Sequence, residues 1–254
     1  MSGRECREDG NEVCFDLEDG SFWFRHRNDV IAAAVSKFPP PDGPMIDVGG
    51  GNGFVTRRLL DEGFQVVLME PGETGAFNAR VKRNLPWVVC STLNQSGLPD
   101  KSVAAVGCFD VLEHIEDDAG FVEEIARAVE PGGMLYVTVP AGGWLWSQTD
   151  VYSGHFRRYS RKSIVKLLEV LFEPLYSTYF FGCMTLPLFL LKALPTRLGL
   201  LRKEAVFSHR TEHGVGGGVA VSIIERLLRG EVRMVEEGRS KRWGTSCLVA
   251  ARRV

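Results

Sequence analysis

Directly behind a short apolar run stands "MIDVGGGNGF", residues 45–54, with four glycines within five positions. Glycine has no Cβ, so the chain there can turn tightly and a ligand can touch main chain directly. An apolar run that ends in such a loop and leads into a helical pattern reads as the first strand–turn–helix of an open α/β sheet. Ligands of such sheets sit at the carboxyl ends of the strands, where the strand order reverses.

The rest of the chain supports that reading. After the "MIDV" strand, "NGFVTRRLLDE" is helical to about Glu62. Further strands are "QVVLME" (65–70), "WVVC" (87–90), "VAAVGCF" (103–109) and "MLYVTVP" (134–140), with an amphipathic helix over 117–129. Apolar strands alternating with helices predict a parallel, doubly wound sheet. Beyond Pro140 comes a polar and aromatic loop, "WLWSQTDVYSGHFRRYS" (144–160), then a helix over 161–171. "YSTYFF" (176–181) and "GTSCLVAARR" (244–253) supply a sixth and a seventh strand, around a partly helical insertion over about 182–243. Before the glycines, residues 21–38 read as a helix that "PPPDGP" ends.

Two nucleotide fingerprints fail. GxGxxG started at Gly49 meets Phe54 at its third glycine, and started at Gly50 it meets Asn52 at its second. No GxxxxGK[ST] occurs. What remains is D-x-G-x-G-x-G, with Asp47 ahead of Gly49, Gly51 and Gly53. An acid beside the loop disfavours a pyrophosphate. The second strand ends in Glu70, 19 residues after Gly51, where an acid accepts hydrogen bonds from ribose hydroxyls. A nucleoside carrying an amino-acid tail fits both features.

"DVGGGNG", "LMEP", "LPDKSVAAVGCFDVLEHIED" and "PGGMLYVTVPA", in that order over about 44–140, resemble the class I S-adenosylmethionine-dependent methyltransferases. "FWFRHRNDVI", "WLWSQTDVYSGHFRRYSRKSI" and "WGTSCLVAARR" are similar to a bacterial and archaeal branch with an FWF-R leader and a GH-x-RRY loop. The resemblance implies a single Rossmann-like domain over 1–254. Its parts would be a lid-helix region (1–43), a cofactor core (44–140) and an acceptor region (141–254) holding the insertion. It also implies residue roles. Asp47, Gly49, Gly51 and Gly53 would line the methionine part of S-adenosylmethionine, Glu70 would hold the ribose, and Ser91, Thr92 and Leu93 would border the adenine. Phe109 and Asp110 would stand near the sulfonium. The chain departs from many relatives in lacking an acid just after the third strand ("CSTLNQ") and in carrying Ala104 before the fourth.

Methyl transfer needs a nucleophile held about 3–3.5 Å from the carbon it attacks, and a base if that nucleophile is a hydroxyl. The candidate bases are His114, His155 and Asp110, with a structural role for His114 and a backbone-bonded loop role for His155 as the alternatives. Arg157 and Arg158 either grip an anionic acceptor in fork geometry or brace the loop through Asp150 or Asp110. Tyr159, Trp144 and Trp146 either contact the acceptor or pack. In the leader, Trp23 either covers the cofactor or docks the helix on the sheet, and Arg25 meets the methionine carboxylate in the first case.

The expected acceptor is a small, glycan-like or lipid-linked molecule, methylated on oxygen rather than nitrogen. Competing readings are a nicotinamide-dependent oxidoreductase and a cofactor-binding but inactive partner protein. The six cysteines show no metal-ligand spacing, and no metal site or nucleic-acid motif is read. At 44% hydrophobic and 24% charged the chain reads as globular and cytosolic, without a signal peptide. From His155 onward there are 18 Lys and Arg against 8 Asp and Glu, and 12 against 24 before it. Residues 174–203, long uncharged and then basic among leucines, read either as strand plus core helix or as a peripheral membrane contact.

Overall fold

The computed structural model describes residues 15, 17–199 and 219–254. Cys6, Cys14, most of the leader before the first helix and positions 200–218 of the expected insertion lie outside the described residues.

Seven strands form one sheet in the order β3-β2-β1-β4-β5-β7-β6. They are β1 (Met45–Val48), β2 (Val66–Met69), β3 (Val88–Val89), β4 (Val103–Phe109), β5 (Val129–Pro140), β6 (Phe172–Phe180) and β7 (Ser246–Arg253). The first five are parallel, and β7 inserts antiparallel between β5 and β6. Every residue of β4 is buried, as expected of a strand covered on both faces. The strand order reverses between β1 and β4, where the glycine loop emerges.

Two apolar layers cover the sheet. On one face lie α4 (Asp118–Ala128) and α6 (Arg161–Leu168), with Val122, Ile125, Ile164 and Leu168 in the core. On the other lie α1 (Phe22–Lys37), α2 (Phe54–Asp61) and α9 (Val219–Glu236), which bring Val30, Ile31, Val35, Leu59 and Leu228 onto Met45, Tyr136 and Leu248. Shorter helices are α3 (Glu73–Phe77), α5 (Gln148–Tyr152), α7 (Thr185–Leu188) and α8 (Leu194–Arg197).

The leader helix starts at a cap: Ser21 Oγ accepts from the Trp23 N–H at 3.2 Å. It is held by a buried polar knot at the carboxyl end of β6. There the Glu231 carboxylate accepts from the N–H groups of Phe181 (2.7 Å) and Gly182 (2.9 Å), from His26 Nε2 (3.1 Å) and from the Lys241 ammonium. Burial alone would raise the Glu231 pKa, but these donors overcome it and bring it down to about 2. The knot clips α1 and α9 to the sheet edge. No helix among the described residues is long and apolar enough to cross a membrane.

Candidate active site

The glycine loop leaves β1 between β2 and β4. Gly49, Gly51 and Gly53 all have left-handed φ, at 68°, 54° and 77°. Gly50 is the tightest position: a Cβ there would stand 2.2 Å from Leu68 Cδ1 and 2.7 Å from Asp47 Oδ2. Gly51 is the opposite case. A Cβ on it would meet nothing within 4 Å, so this residue presents bare main chain to open space.

Glu70, at the end of β2, is tied to the same loop. Its Oε2 accepts from the Gly51 N–H at 2.9 Å and its Oε1 from the Gly72 N–H at 2.8 Å. Burial raises its pKa against these two bonds. Asp47 lies beneath the loop, fully buried, with Oδ2 accepting from Thr56 Oγ1 at 2.6 Å. Its Oδ1 has no hydrogen-bond partner among the described residues, and burial pushes its pKa up to about 6 against the Thr56 bond. Bare main chain, a carboxylate one strand over and an orphaned buried oxygen below make a cradle that fits a ribose-bearing ligand with a cationic group.

Beside the cradle, β4 ends in Phe109, buried, and Asp110, which has a left-handed φ of 57°. That conformation costs a non-glycine residue about 1–3 kcal/mol and persists only when neighbours fix it. Thr138 Oγ1 donates to Asp110 Oδ1 at 3.1 Å, and Arg27 Nε stands 2.9 Å from Oδ2. The loop abuts this turn directly, since a Cβ on Gly49 would come within 2.8 Å of Val111 Cγ2. At the end of β3, Ser91 and Thr92 are half-buried and bonded locally, whereas Leu93 turns into the core.

Two leader residues, Trp23 and Arg25, have partners within the protein. Trp23 stacks on Phe181 at 3.8 Å, beyond the end of β6. Arg25 points outward to Glu225 (2.9 Å) and the Asp19 carbonyl (3.0 Å). Arg27 takes the inner position instead, donating to the Phe109 carbonyl at 3.3 Å. Two residues apart on a helix means nearly opposite faces, so only one of the two arginines can look inward.

On the acceptor side the GH-x-RRY loop folds back beside the turn after β4, with the Phe156 N–H bonded to the Glu113 carbonyl at 2.8 Å. His155 Nδ1 lies 2.9 Å from Asp150 Oδ1, which also accepts from Arg158 Nε at 2.7 Å. Burial works against ionisation of Asp150, but the bonds from His155 and Arg158 hold its pKa at about 2. An ionised Asp150 keeps the proton of a neutral His155 ring on Nδ1 and the lone pair on Nε2. The His114 and His155 rings meet edge to face at 4.8 Å. Burial, reinforced by His155, lowers the His114 pKa to about 4.

Arg157, Arg158 and Tyr159, also expected at the acceptor, are bonded within the protein. Arg157 pairs with Asp118 at 2.6 Å and donates to the Glu116 carbonyl. Arg158 adds a bond to the Ala141 carbonyl at 3.2 Å. Tyr159 is buried and donates to Asp118 Oδ2 at 2.7 Å. Trp144 is exposed and tilts against Phe189 with centroids 5.5 Å apart, and Trp146 is half-buried. A groove of about 600 Å³ opens between α4 and α6 under Arg157 and Tyr159, and no residue of the glycine loop lines it.

A reversal at β1/β4, a glycine cradle there and an acid at the end of β2 define the class I methyltransferase fold. Residues 46–137 match the model of the methyltransferase domain. A Mycobacterium tuberculosis protein named "Probable S-adenosylmethionine-dependent methyltransferase" is 30% identical over 131 residues, 52% of this chain and 47% of that protein. A ubiquinone biosynthesis O-methyltransferase of Serratia proteamaculans is 28% identical over 133 residues, 48% of this chain and 54% of that one. Among solved structures, Haemonchus contortus phosphoethanolamine N-methyltransferase 2 with S-adenosyl-L-methionine superposes with a TM-score of 0.60 at 17% identity. It covers 100% of this chain and 60% of that one. Residues 46–137 thus match a methyltransferase domain, and the described chain has the class I methyltransferase fold. It spans about half the length of the curated relatives it matches.

Proposed function

We propose that the chain transfers a methyl group from S-adenosylmethionine to an oxygen of a small, glycan-like or lipid-linked acceptor. The observation that carries this reading is the cradle: Gly51 bare toward open space and bonded from behind to Glu70. When bound, S-adenosylmethionine supplies an electrophilic methyl carbon on a good leaving group. The main chain of Gly49 to Gly53 would hold the methionine part, Glu70 the ribose, and Ser91 and Thr92 the rim of the adenine.

For oxygen, the support is the Asp150–His155 pair. A hydroxyl must lose its proton as its oxygen bonds to carbon, and His155 Nε2 is the basic atom that Asp150 leaves available. Relatives named as ubiquinone biosynthesis O-methyltransferases agree with oxygen as the atom methylated. Arg158 and Ser147, bonded to Asp150, keep that carboxylate in place. Asp110, fixed by Arg27 and Thr138, stands between the two halves of the site and contributes negative charge next to the cradle.

The experiment is a screen for S-adenosylhomocysteine release over phenolic, sugar and polyprenyl-linked hydroxyl compounds. Turnover with a hydroxyl acceptor, lost in His155→Ala while cofactor affinity stays, is the expected result. Turnover only with amines would overturn the oxygen assignment.

A further inference from the structure

The turn after β4, which carries the adjacent Glu113 and His114, and the GH-x-RRY loop, which carries His155, bring three donor side chains together. Glu113, His114 and His155 each offer one ligand atom, and these atoms lie within 4.8 Å of one another. We propose that Glu113, His114 and His155 form a binding site for a divalent first-row transition cation, Zn²⁺ in chemistry, at the acceptor side of the cradle.

The donor set selects the ion. Two imidazoles with one carboxylate suit zinc, cobalt or nickel, whereas magnesium and calcium prefer sites built of oxygen alone. Three protein ligands leave at least one position open.

The surroundings are those of a ligand set. Metal-bound histidines usually donate their second ring N–H to a carboxylate, which fixes tautomer and orientation. His155 does so to Asp150 at 2.9 Å, and Ser147 N–H (2.8 Å) and Arg158 hold Asp150 in turn. The nitrogen left over is Nε2.

A separate observation points to a ligand. Glu113 is 1% exposed, and its Oε2 has no hydrogen-bond partner among the described residues. A buried carboxylate oxygen without a partner is costly unless something else meets it. An edge-to-face contact accounts for the two rings, but not for this oxygen.

The geometry stands slightly open. Ligands about 2.0–2.2 Å from an ion are about 3–4 Å apart, so the widest gap here has to close by about 1 Å. His155 is on a loop and half-buried, which allows that movement.

In the loaded chain the cation would take the Nε2 lone pair, so His155 would act as a ligand in place of a base; a hydroxyl at the open position would be made acidic by the cation and lose its proton to solvent. An acceptor with two neighbouring oxygens would chelate. This consequence rests on the methyl-transfer reading; cation binding does not.

The test is calorimetry of the full chain, stripped with chelator and exchanged into metal-free buffer, with Zn²⁺. Visible absorption with Co²⁺ reports the ligand geometry. About one equivalent is expected to bind, with d–d bands for Co²⁺ and no displacement by equimolar Mg²⁺. Glu113→Gln and His155→Asn should each weaken binding tenfold or more, and Asp150→Asn by about ten- to 100-fold. S-adenosylhomocysteine titrations and melting curves on the same samples separate loss of the cation site from loss of the fold or of the cofactor cradle. No binding by the folded wild-type chain would overturn the proposal. So would unchanged affinity in folded Glu113→Gln and His155→Asn, which would place the ion elsewhere on the surface.

Discussion

Replacing Gly51 by alanine separates the cost of the loop's shape from the cost of blocking its face. The residue has a φ of 54°, which an L side chain tolerates at about 1–2 kcal/mol. The added methyl meets no protein atom within 4 Å, so no clash adds to that cost. For a chain of this size about 1 kcal/mol lowers the melting temperature by about 2–4 °C, and a drop of only a few degrees is expected. The methyl does enter the space where the ligand would touch main chain. Overfilling a close contact costs about 1–3 kcal/mol, which weakens binding about five- to 150-fold. Gly63→Ala is the control. Gly63 has a φ of 91°, equally open space and an exposed position at the far end of α2. It should lose similar stability and no affinity. Calorimetry with S-adenosylhomocysteine and melting curves on the three proteins give both quantities. Wild-type affinity in Gly51→Ala would refute the reasoning, because the ligand would then not lie on that face.

Other expectations follow from single contacts. Glu70→Gln keeps the size but turns an amide N–H toward the Gly51 or Gly72 N–H, so S-adenosylhomocysteine affinity should fall at least tenfold by calorimetry. An unchanged value would remove Glu70 from the site. Glu231 has its pKa brought from 4.5 to about 2, so its stabilisation is complete above pH 4.5 and is lost as pH falls toward 2. Urea unfolding should show that acid limb, about 3 kcal/mol in all, flattened in Glu231→Gln, and an unaltered limb would contradict the assignment. Tyr159→Phe removes the bond to Asp118 and should cost about 1 kcal/mol in the same assay without changing turnover constants for the acceptor. A raised KM would return Tyr159 to the acceptor site.

The sheet was legible because its signals are local. Apolar runs of strand length, glycine and proline punctuation and the "MIDVGGGNG" turn place β1, β2, β3, β4 and β7 to within two residues. The strands extend further than read where pairing extends them: β5 begins at Val129 and β6 at Phe172, since β4 and β7 run alongside. The cradle was legible for a similar reason, because loop and acid occupy fixed places on adjacent strands. The braces were not. Which of Arg25 and Arg27 faces inward depends on the rotation of α1, set by the distant Glu231 knot and the stacking of Trp23 on Phe181. Arg157, Arg158 and Tyr159 carry the chemistry of anion and acceptor contacts, but Asp118 and Asp150 reach them first. The approach of His155 to Glu113 and His114 belongs to contacts between separate loops, whereas Asp150 and His155 pair within one loop. The one sequence signal is the closeness of Asp150 to His155, five residues along.

The proposed activity requires that the loop after β1 and the acid after β2 hold S-adenosylmethionine. A crystal structure with S-adenosylhomocysteine tests it most directly. The ribose hydroxyls are expected on Glu70 and the amino-acid tail along the main chain of Gly49 to Gly53. The nucleoside bound at another edge of the sheet, with Gly51 still facing solvent, would contradict it.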